Sequence, residues 1–192
     1  KLSTKKTEKQ NTRKNFWTGS LAGFMQIETE RLLLVPVSEQ HTGEVYQHFN
    51  EKVIVYMFPG VLKDNREAEG VIHRFMDQQS QKTDYVYAIT KKETGEFIGL
   101  AGLHHMDQTI SELGIWTKMD SHGNHYGREA IGGLIRHAAA LGKKKLRYPV
   151  DRRNIPSKKI PLFYGGKLVG RCREVSTPDG RTLQEELYEI EI

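Results

Sequence analysis

The chain has 192 residues, 37% hydrophobic and 28% charged, which suits one domain with its own core and carries no disorder signature over most of its length. Its one cysteine, Cys172, excludes an internal disulfide, and no run of about 18 apolar residues offers a membrane-spanning helix, so a reducing, cytoplasmic setting is expected. The net charge of +5 is uneven: residues 1–24 hold six lysines and arginines against one glutamate, leaving 23 basic and 23 acidic residues in a neutral remainder, which argues against nucleic acid as the partner of the folded domain.

Residues 1–24 read as a flexible, solvated leader or as residues added ahead of the domain, and no role is assigned to them. No apolar stretch of about 7–15 residues follows their basic start, so no secretory signal is expected. Met25 opens "MQIETERLLL", and a single domain is expected over 25–192. "RLLLVPV" (31–37) is a β-leaning apolar run and the first predicted strand. Ser38 then caps a helix whose apolar side holds Val45, Phe49 and Val53. An apolar patch, "VIVYMFPGVL", intervenes. Asp64 is a good N-cap for a helix over 65–81 with Val71, Ile72, Phe75 and Met76 as its buried stripe.

Strands follow at "YVYAIT" (85–90), "FIGLAGLHH" (97–105) and "SELGIWT" (111–117). A helix over 127–141 places Ile131, Leu134, Ile135, Ala138 and Leu141 on one side. "KLRYPV" (145–150) is a strand and "NIPSKKIPLFYGG" a short helix ending in Gly-Gly. Pro161 must kink that helix or end it early, because proline lacks an N–H and crowds the preceding turn. "KLVGRCREVST", an Asp179-Gly180 turn and "TLQEELYEIEI" form a closing hairpin. The order β-α-α-β-β-β-α-β-α-β-β packs as an α/β (α+β) domain, a mixed sheet with helices on both faces.

"SHGNHYGREAIGGL" (121–134) is the stretch richest in chemistry. A helix N-terminus leaves backbone N–H groups unpaired and carries partial positive charge. Gly123 and Gly127 let the backbone approach a ligand, and Arg128 adds a cation in the first turn. Together these suit a pyrophosphate; a capped loop with no ligand is the plain alternative. A metal site built from His122 and His125, with His104, His105 and Asp107, lacks any accompanying HExxH or Cys/His framework, so no metal is expected.

"ETERLLL", "LGIWT", "HGNHYGREA" and "NIPSKKIPLFYGGKLVG", in that order, resemble the GNAT acetyltransferase superfamily, and in particular its Rim-type branch of ribosomal-protein N-acetyltransferases. The resemblance spans nearly all of the chain beyond the leader. It implies a twisted, mostly antiparallel mixed sheet and an acetyl-CoA-dependent N-acetyltransferase that moves the acetyl group to a primary amine by direct attack. It places Ile115, Trp116, Thr117, His122, Gly123, Asn124, His125, Tyr126, Gly127, Arg128, Asn154 and Ser157 along acetyl-CoA as co-substrate, with Asn154 holding the pantetheine arm.

The superfamily loop usually reads Arg or Gln, two variable residues, Gly, one variable residue, then Gly or Ala. Here His122 stands at the basic position, His125 at the first glycine and Gly127 at the last. His125 keeps its backbone N–H, but a left-handed conformation is uncomfortable for a residue other than glycine. Glu112 resembles the family's general base acting through water. Many members use a tyrosine seven residues after the helix-opening Asn as general acid; that position is Pro161 here. The Rim-type branch has a serine three after that Asn, which is Ser157. Tyr164 falls at an apolar position, and Cys172 lies far from these motifs.

The expected acceptor is a protein N-terminus or a small amine. Trp116, Tyr85, Tyr87, Phe58 and Tyr56 are core or acceptor-pocket residues, and "VYMFPG" and His104–His105 fall where the family contacts the acceptor. A non-catalytic acyl-CoA-binding module on the same fold is the alternative, favoured by His125 and Pro161. Exposed strand edges admit a homodimer.

Overall fold

The computed structural model describes residues 25–192, and the basic leader lies outside them. β1 (Ile27–Glu28) turns into β2 (Leu32–Pro36) through Thr29, whose N–H donates to the Leu32 carbonyl at 2.9 Å and whose Oγ1 accepts from the Leu32 N–H at 3.1 Å. The first helix is shorter than its apolar spacing predicts. A single 3-10 turn (Glu39–His41) leads into α1 (Thr42–His48). The chain then turns on Asn50, whose carbonyl takes the N–H groups of Val53 and Ile54 and whose side chain takes that of Lys52. Val53 therefore sits in the connector rather than on the helix. α2 (Asn65–Ser80) begins as predicted, with the Asp64 carboxylate accepting from the Glu67 N–H at 2.8 Å.

β3 (Tyr85–Lys91), β4 (Phe97–His104) and β5 (Ser111–Thr117) form an antiparallel meander. α3 (Tyr126–Ala140) crosses over to β6 (Lys145–Asp151). α4 (Ile155–Phe163) leads to the hairpin of β7 (Lys167–Ser176) and β8 (Thr182–Glu191). α4 ends at Phe163, at the expected Gly-Gly stop, and Pro161 lies inside its last turn. The proline has no N–H for the Ser157 carbonyl, and one turn later Gly165, at φ 75°, reverses the chain so that the Gly166 N–H closes on the Pro161 carbonyl at 2.8 Å.

The sheet has eight strands in the order β1-β2-β3-β4-β5-β6-β8-β7, and only β5–β6 is parallel. The sequence pattern gives seven strands; β1, two residues long, has too little alternation to be seen. Helices cover both faces. α3 and α4 lie on one, where Ile131, Leu134 and Ala138 pack with Leu32, Ile89, Ile98, Leu113 and Leu146. α1 and α2 lie on the other, where Val45, Phe49 and Ile72 meet Val86, Ala88 and Leu100. Tyr85 and Tyr87 belong to the α3 side of the core rather than to an acceptor pocket. No described helix is long and apolar enough to cross a membrane.

Candidate active site

The parallel partners β5 and β6 separate almost as soon as they meet. They register at Ser111↔Leu146 and Glu112↔Arg147 and nowhere beyond, while β5 stays paired to β4 through Thr117 and β6 to β8 through Asp151. The edge of β5 from Leu113 to Thr117 that faces β6 thus has no ladder partner, and a wedge opens through the sheet. A cleft of about 510 Å³ occupies it, a size suited to a cofactor-sized ligand. Ile115, Trp116 and Thr117 line one wall and Asn154, Ser157 and Ile160 of the α4 segment the other, with the loop before α3 across one end.

That loop is a backbone donor surface. Gly123 lies at φ 82° and His125 at φ 60°, so the chain swings through two left-handed residues before α3 starts at Tyr126. The first helical bond runs from the Glu129 N–H to the His125 carbonyl at 3.1 Å. Among the described residues, the N–H groups from Gly123 to Arg128 have no acceptor within the protein. A run of such donors at the positive end of a helix is a nest for phosphate oxygens, so the chain's own groups fit the pyrophosphate of a coenzyme A thioester. The Arg128 guanidinium stands at the same turn, 4.3 Å from the centroid of the Phe163 ring. The His122 ring nitrogen Nε2 lies 3.0 Å from the Thr117 carbonyl.

An unforeseen brace holds this loop. Glu129 accepts from Thr29 Oγ1 at 2.6 Å, from the Arg31 N–H at 2.7 Å and from Arg31 Nε at 2.7 Å, while Arg31 Nη2 reaches the Asn124 carbonyl at 3.1 Å. Burial opposes charge on Glu129, but these donors outweigh it and hold its carboxyl below the usual range. The opening "TER" and the "GRE" of the loop are thus one structure.

On the far wall, Asn154 caps α4, its Oδ1 accepting from the Ser157 N–H at 3.3 Å. Ser157 Oγ is 2.8 Å from Tyr148 Oη. Burial pushes the Tyr148 phenol up to about 12, the bond with Ser157 opposing, so Tyr148 stays protonated. Tyr164 is spent elsewhere: its hydroxyl donates to the Arg128 carbonyl at 2.7 Å.

Glu112 marks the vertex of the wedge, on the α1–α2 face of the sheet, the face opposite α4 and Ser157. Burial raises its carboxyl above the ordinary value and Glu185 adds to this, against the opposing influence of His105, His104 and Arg147. Of the residues expected along acetyl-CoA, only Asn124 does not line the cleft. Its side-chain amide turns back to the carbonyls of Ser121 and His122. The cleft also takes in Val53 and Met57 of the α1–α2 connector and Lys159 of α4. Phe58 is exposed, and the Tyr56 ring lies under Arg153 at 5.5 Å. Among the described residues, no three His, Cys, Asp or Glu are grouped to hold a metal.

A family model described as an acetyltransferase (GNAT) domain matches residues 31–167. The uncharacterized N-acetyltransferase YoaA of Bacillus subtilis is 24% identical over 171 residues, covering 87% of this chain and 97% of that protein. Among solved structures, a putative ribosomal-protein-serine acetyltransferase from Vibrio cholerae superimposes with a TM-score of 0.73 at 18% identity, covering 90% of this chain and 100% of the other. The ribosomal alpha-N-protein acetyltransferase RimL, solved in complex with coenzyme A, superimposes with a TM-score of 0.78 at 15% identity, covering 88% and 98%. An acetyl transferase from Salmonella typhimurium that modifies the N-terminal serine of a 50S ribosomal subunit protein gives 0.77 at 14% identity, covering 88% and 99%. With the matched model spanning Arg31 and Glu129 of the brace, the wedge and the donor loop, the chain belongs to the GNAT acetyltransferase family.

Proposed function

We propose that the protein is an acetyl-CoA-dependent N-acetyltransferase acting on a primary amine, a protein N-terminus or a small molecule, in the cytoplasm. The observation that carries this reading is the donor loop: unpaired amides from Gly123 to Arg128 at the mouth of a wedge that runs through the sheet. Bound acetyl-CoA supplies a thioester whose carbonyl carbon is the electrophile. The amides of 123–128 and the Arg128 side chain hold its phosphates. Asn154 and the open edge of β5, with Ile115, Trp116 and Thr117, orient the arm. Ser157, hydrogen-bonded to Tyr148, gives a proton to the leaving thiolate on the α4 side. Glu112, made more basic by burial, serves the amine through water on the α1–α2 side. The amine thus enters from one face and the thiol departs on the other, which favours direct attack over an acetyl-enzyme. Cys172 is exposed on β7 and outside the cleft. The Salmonella protein's modification of an N-terminal serine puts a peptide with that terminus first among acceptors.

The test is release of free thiol from acetyl-CoA with a panel of amines: a peptide bearing an N-terminal serine, polyamines, amino acids and aminoglycosides. Turnover with at least one is expected, with kcat reduced about 100-fold in Glu112→Gln and in Ser157→Ala. Tight acetyl-CoA binding without turnover on any amine would make the protein a non-catalytic acyl-CoA module, and no binding at all would end both readings.

A further inference from the structure

We propose that His104, oriented by Asp84, is the group that takes the proton from the incoming amine. This assignment rests on the acetyl-transfer reading above and adds a residue to it.

Strand alternation puts Asp84, Val86 and Ala88 of the β3 segment, Leu100, Gly102 and His104 of β4, and Glu112, Gly114 and Trp116 of β5 on the α1–α2 face. His104 is the direct cross-strand neighbour of Glu112. Its ring does not point outward from that position. It lies back over the next pair in the ladder, Gly102↔Gly114: a Cβ added at Gly102 would stand 2.7 Å from His104 Nε2, and one at Gly114 2.9 Å from it. Two glycines facing each other across the strands clear a floor for the imidazole. Gly114 belongs to the stretch of β5 whose other edge faces the wedge, one residue from Ile115 in the cleft wall. The ring itself does not line the cleft; it lies over Gly114, next to the cleft wall at Ile115, on the face opposite Ser157.

Asp84 fixes which nitrogen is basic. It is buried, and its Oδ1 is 2.7 Å from His104 Nδ1. Burial opposes its charge, but the bonds from His104 and Thr83 and the nearby imidazoles hold its carboxyl below the usual range. An ionised carboxylate only accepts, so Nδ1 carries a proton toward Asp84, and in the neutral ring Nε2 holds the lone pair. Among the described residues Nε2 has no hydrogen-bond partner, and 29% of the side chain is open to solvent. A buried structural pair would satisfy both nitrogens; this one spends one nitrogen on orientation and presents the other. The cross-strand neighbour of His104, Glu112, is acted on in turn by His105, Glu185 and Arg147.

The step balances as follows. The acceptor arrives as an ammonium, and His104 Nε2 takes one proton. The freed lone pair attacks the thioester carbonyl carbon, the C–N bond forms and the C–S bond breaks. The second amine proton leaves through water to Glu112. The thiolate takes a proton from Ser157 Oγ, which regains one from solvent.

The experiment measures kcat/KM for the best amine and, separately, acetyl-CoA affinity by calorimetry, in wild type, His104→Gln, His104→Ala and Asp84→Asn. We expect kcat/KM to fall about 100-fold in both His104 variants and about tenfold in Asp84→Asn, with acetyl-CoA affinity unchanged. Imidazole added to His104→Ala restores several-fold activity, which a packing role would not produce. His104→Gln within threefold of wild type overturns the assignment. So does a loss that tracks weaker acetyl-CoA binding and resists imidazole. A wild type that turns over no amine overturns the acetyl-transfer reading, and this assignment with it.

Discussion

His125 stands at φ 60° and ψ 17° as the residue before α3, the left-handed conformation that glycine adopts freely. The residue is tolerated because what the loop asks of it is a backbone N–H and a carbonyl for Glu129, and its ring makes no capping bond. Left-handed backbone costs a side-chain-bearing residue roughly 1–2 kcal/mol, although histidine visits it more readily than most. His125→Gly should therefore gain about 1 kcal/mol in urea unfolding and keep acetyl-CoA affinity, since the amide is retained. A loss of stability would mean that the imidazole makes a contact worth more than the strain. The sequence made the loop and its odd residue readable, because glycine spacing and helix starts are local signals. It could not show Thr29 and Arg31 bracing Glu129 from about a hundred residues away, nor Asp84 reaching His104, because no spacing rule connects residues that only the sheet brings together.

At the scale of elements, the connector between α1 and α2 has little structure of its own, and the β7–β8 turn holds it. Arg181 Nη1 donates to the carbonyls of Ile54 at 2.6 Å and Met57 at 2.9 Å, and Nη2 to that of Pro59 at 3.0 Å. Asp179 accepts from Arg181 Nε at 2.8 Å and so fixes the guanidinium. The bonds from Arg181 and Thr177 lower the Asp179 carboxyl to about 2. A depressed carboxyl stabilises the fold above its ordinary value of 3.8 and loses that contribution as pH falls through about 2, so the clamp stays intact through the neutral range. Met57 lines the cleft, which ties the clamp to its wall. Arg181→Met should raise KM for the amine about tenfold and leave KM for acetyl-CoA unchanged, since the donor loop is elsewhere. Arg181→Lys should recover only part, because one ammonium cannot match the planar fork. Equal effects on both KM values would mean that the clamp supports the fold rather than the acceptor side. Composition marked this connector only as an apolar patch, and its partner lies some 120 residues on.

Across the whole molecule, the wedge follows from topology. β5 is committed to β4 and β6 to β8, and the parallel contact between them is confined to two positions. The order of elements foretold a mixed sheet with helices on both faces. It did not foretell that β8 would insert between β6 and β7, or that the β5–β6 seam would open. Both depend on how two separately twisted halves meet, and no local pattern records that. A ligand filling such a seam joins the halves, so acetyl-CoA at a hundred times its dissociation constant adds about 2.7 kcal/mol. For a domain of this size that raises Tm by roughly 5–10 °C. Gly127→Ala separates the ligand's demand from the fold's. A Cβ there would meet Ile115 Cδ1 and Ile160 Cδ1 at 3.6 Å, ordinary contact, and alanine is the better helix residue by up to about 1 kcal/mol, so the free protein should melt no lower. The methyl nevertheless projects into the cleft beside the donor amides, where it would hold phosphate oxygens away. The acetyl-CoA shift in Gly127→Ala should fall below half that of the wild type, whereas removal of residues 1–24 should leave it unchanged. A full shift in Gly127→Ala, read by scanning fluorimetry against acetyl-CoA concentration, would move the phosphate site off the α3 loop.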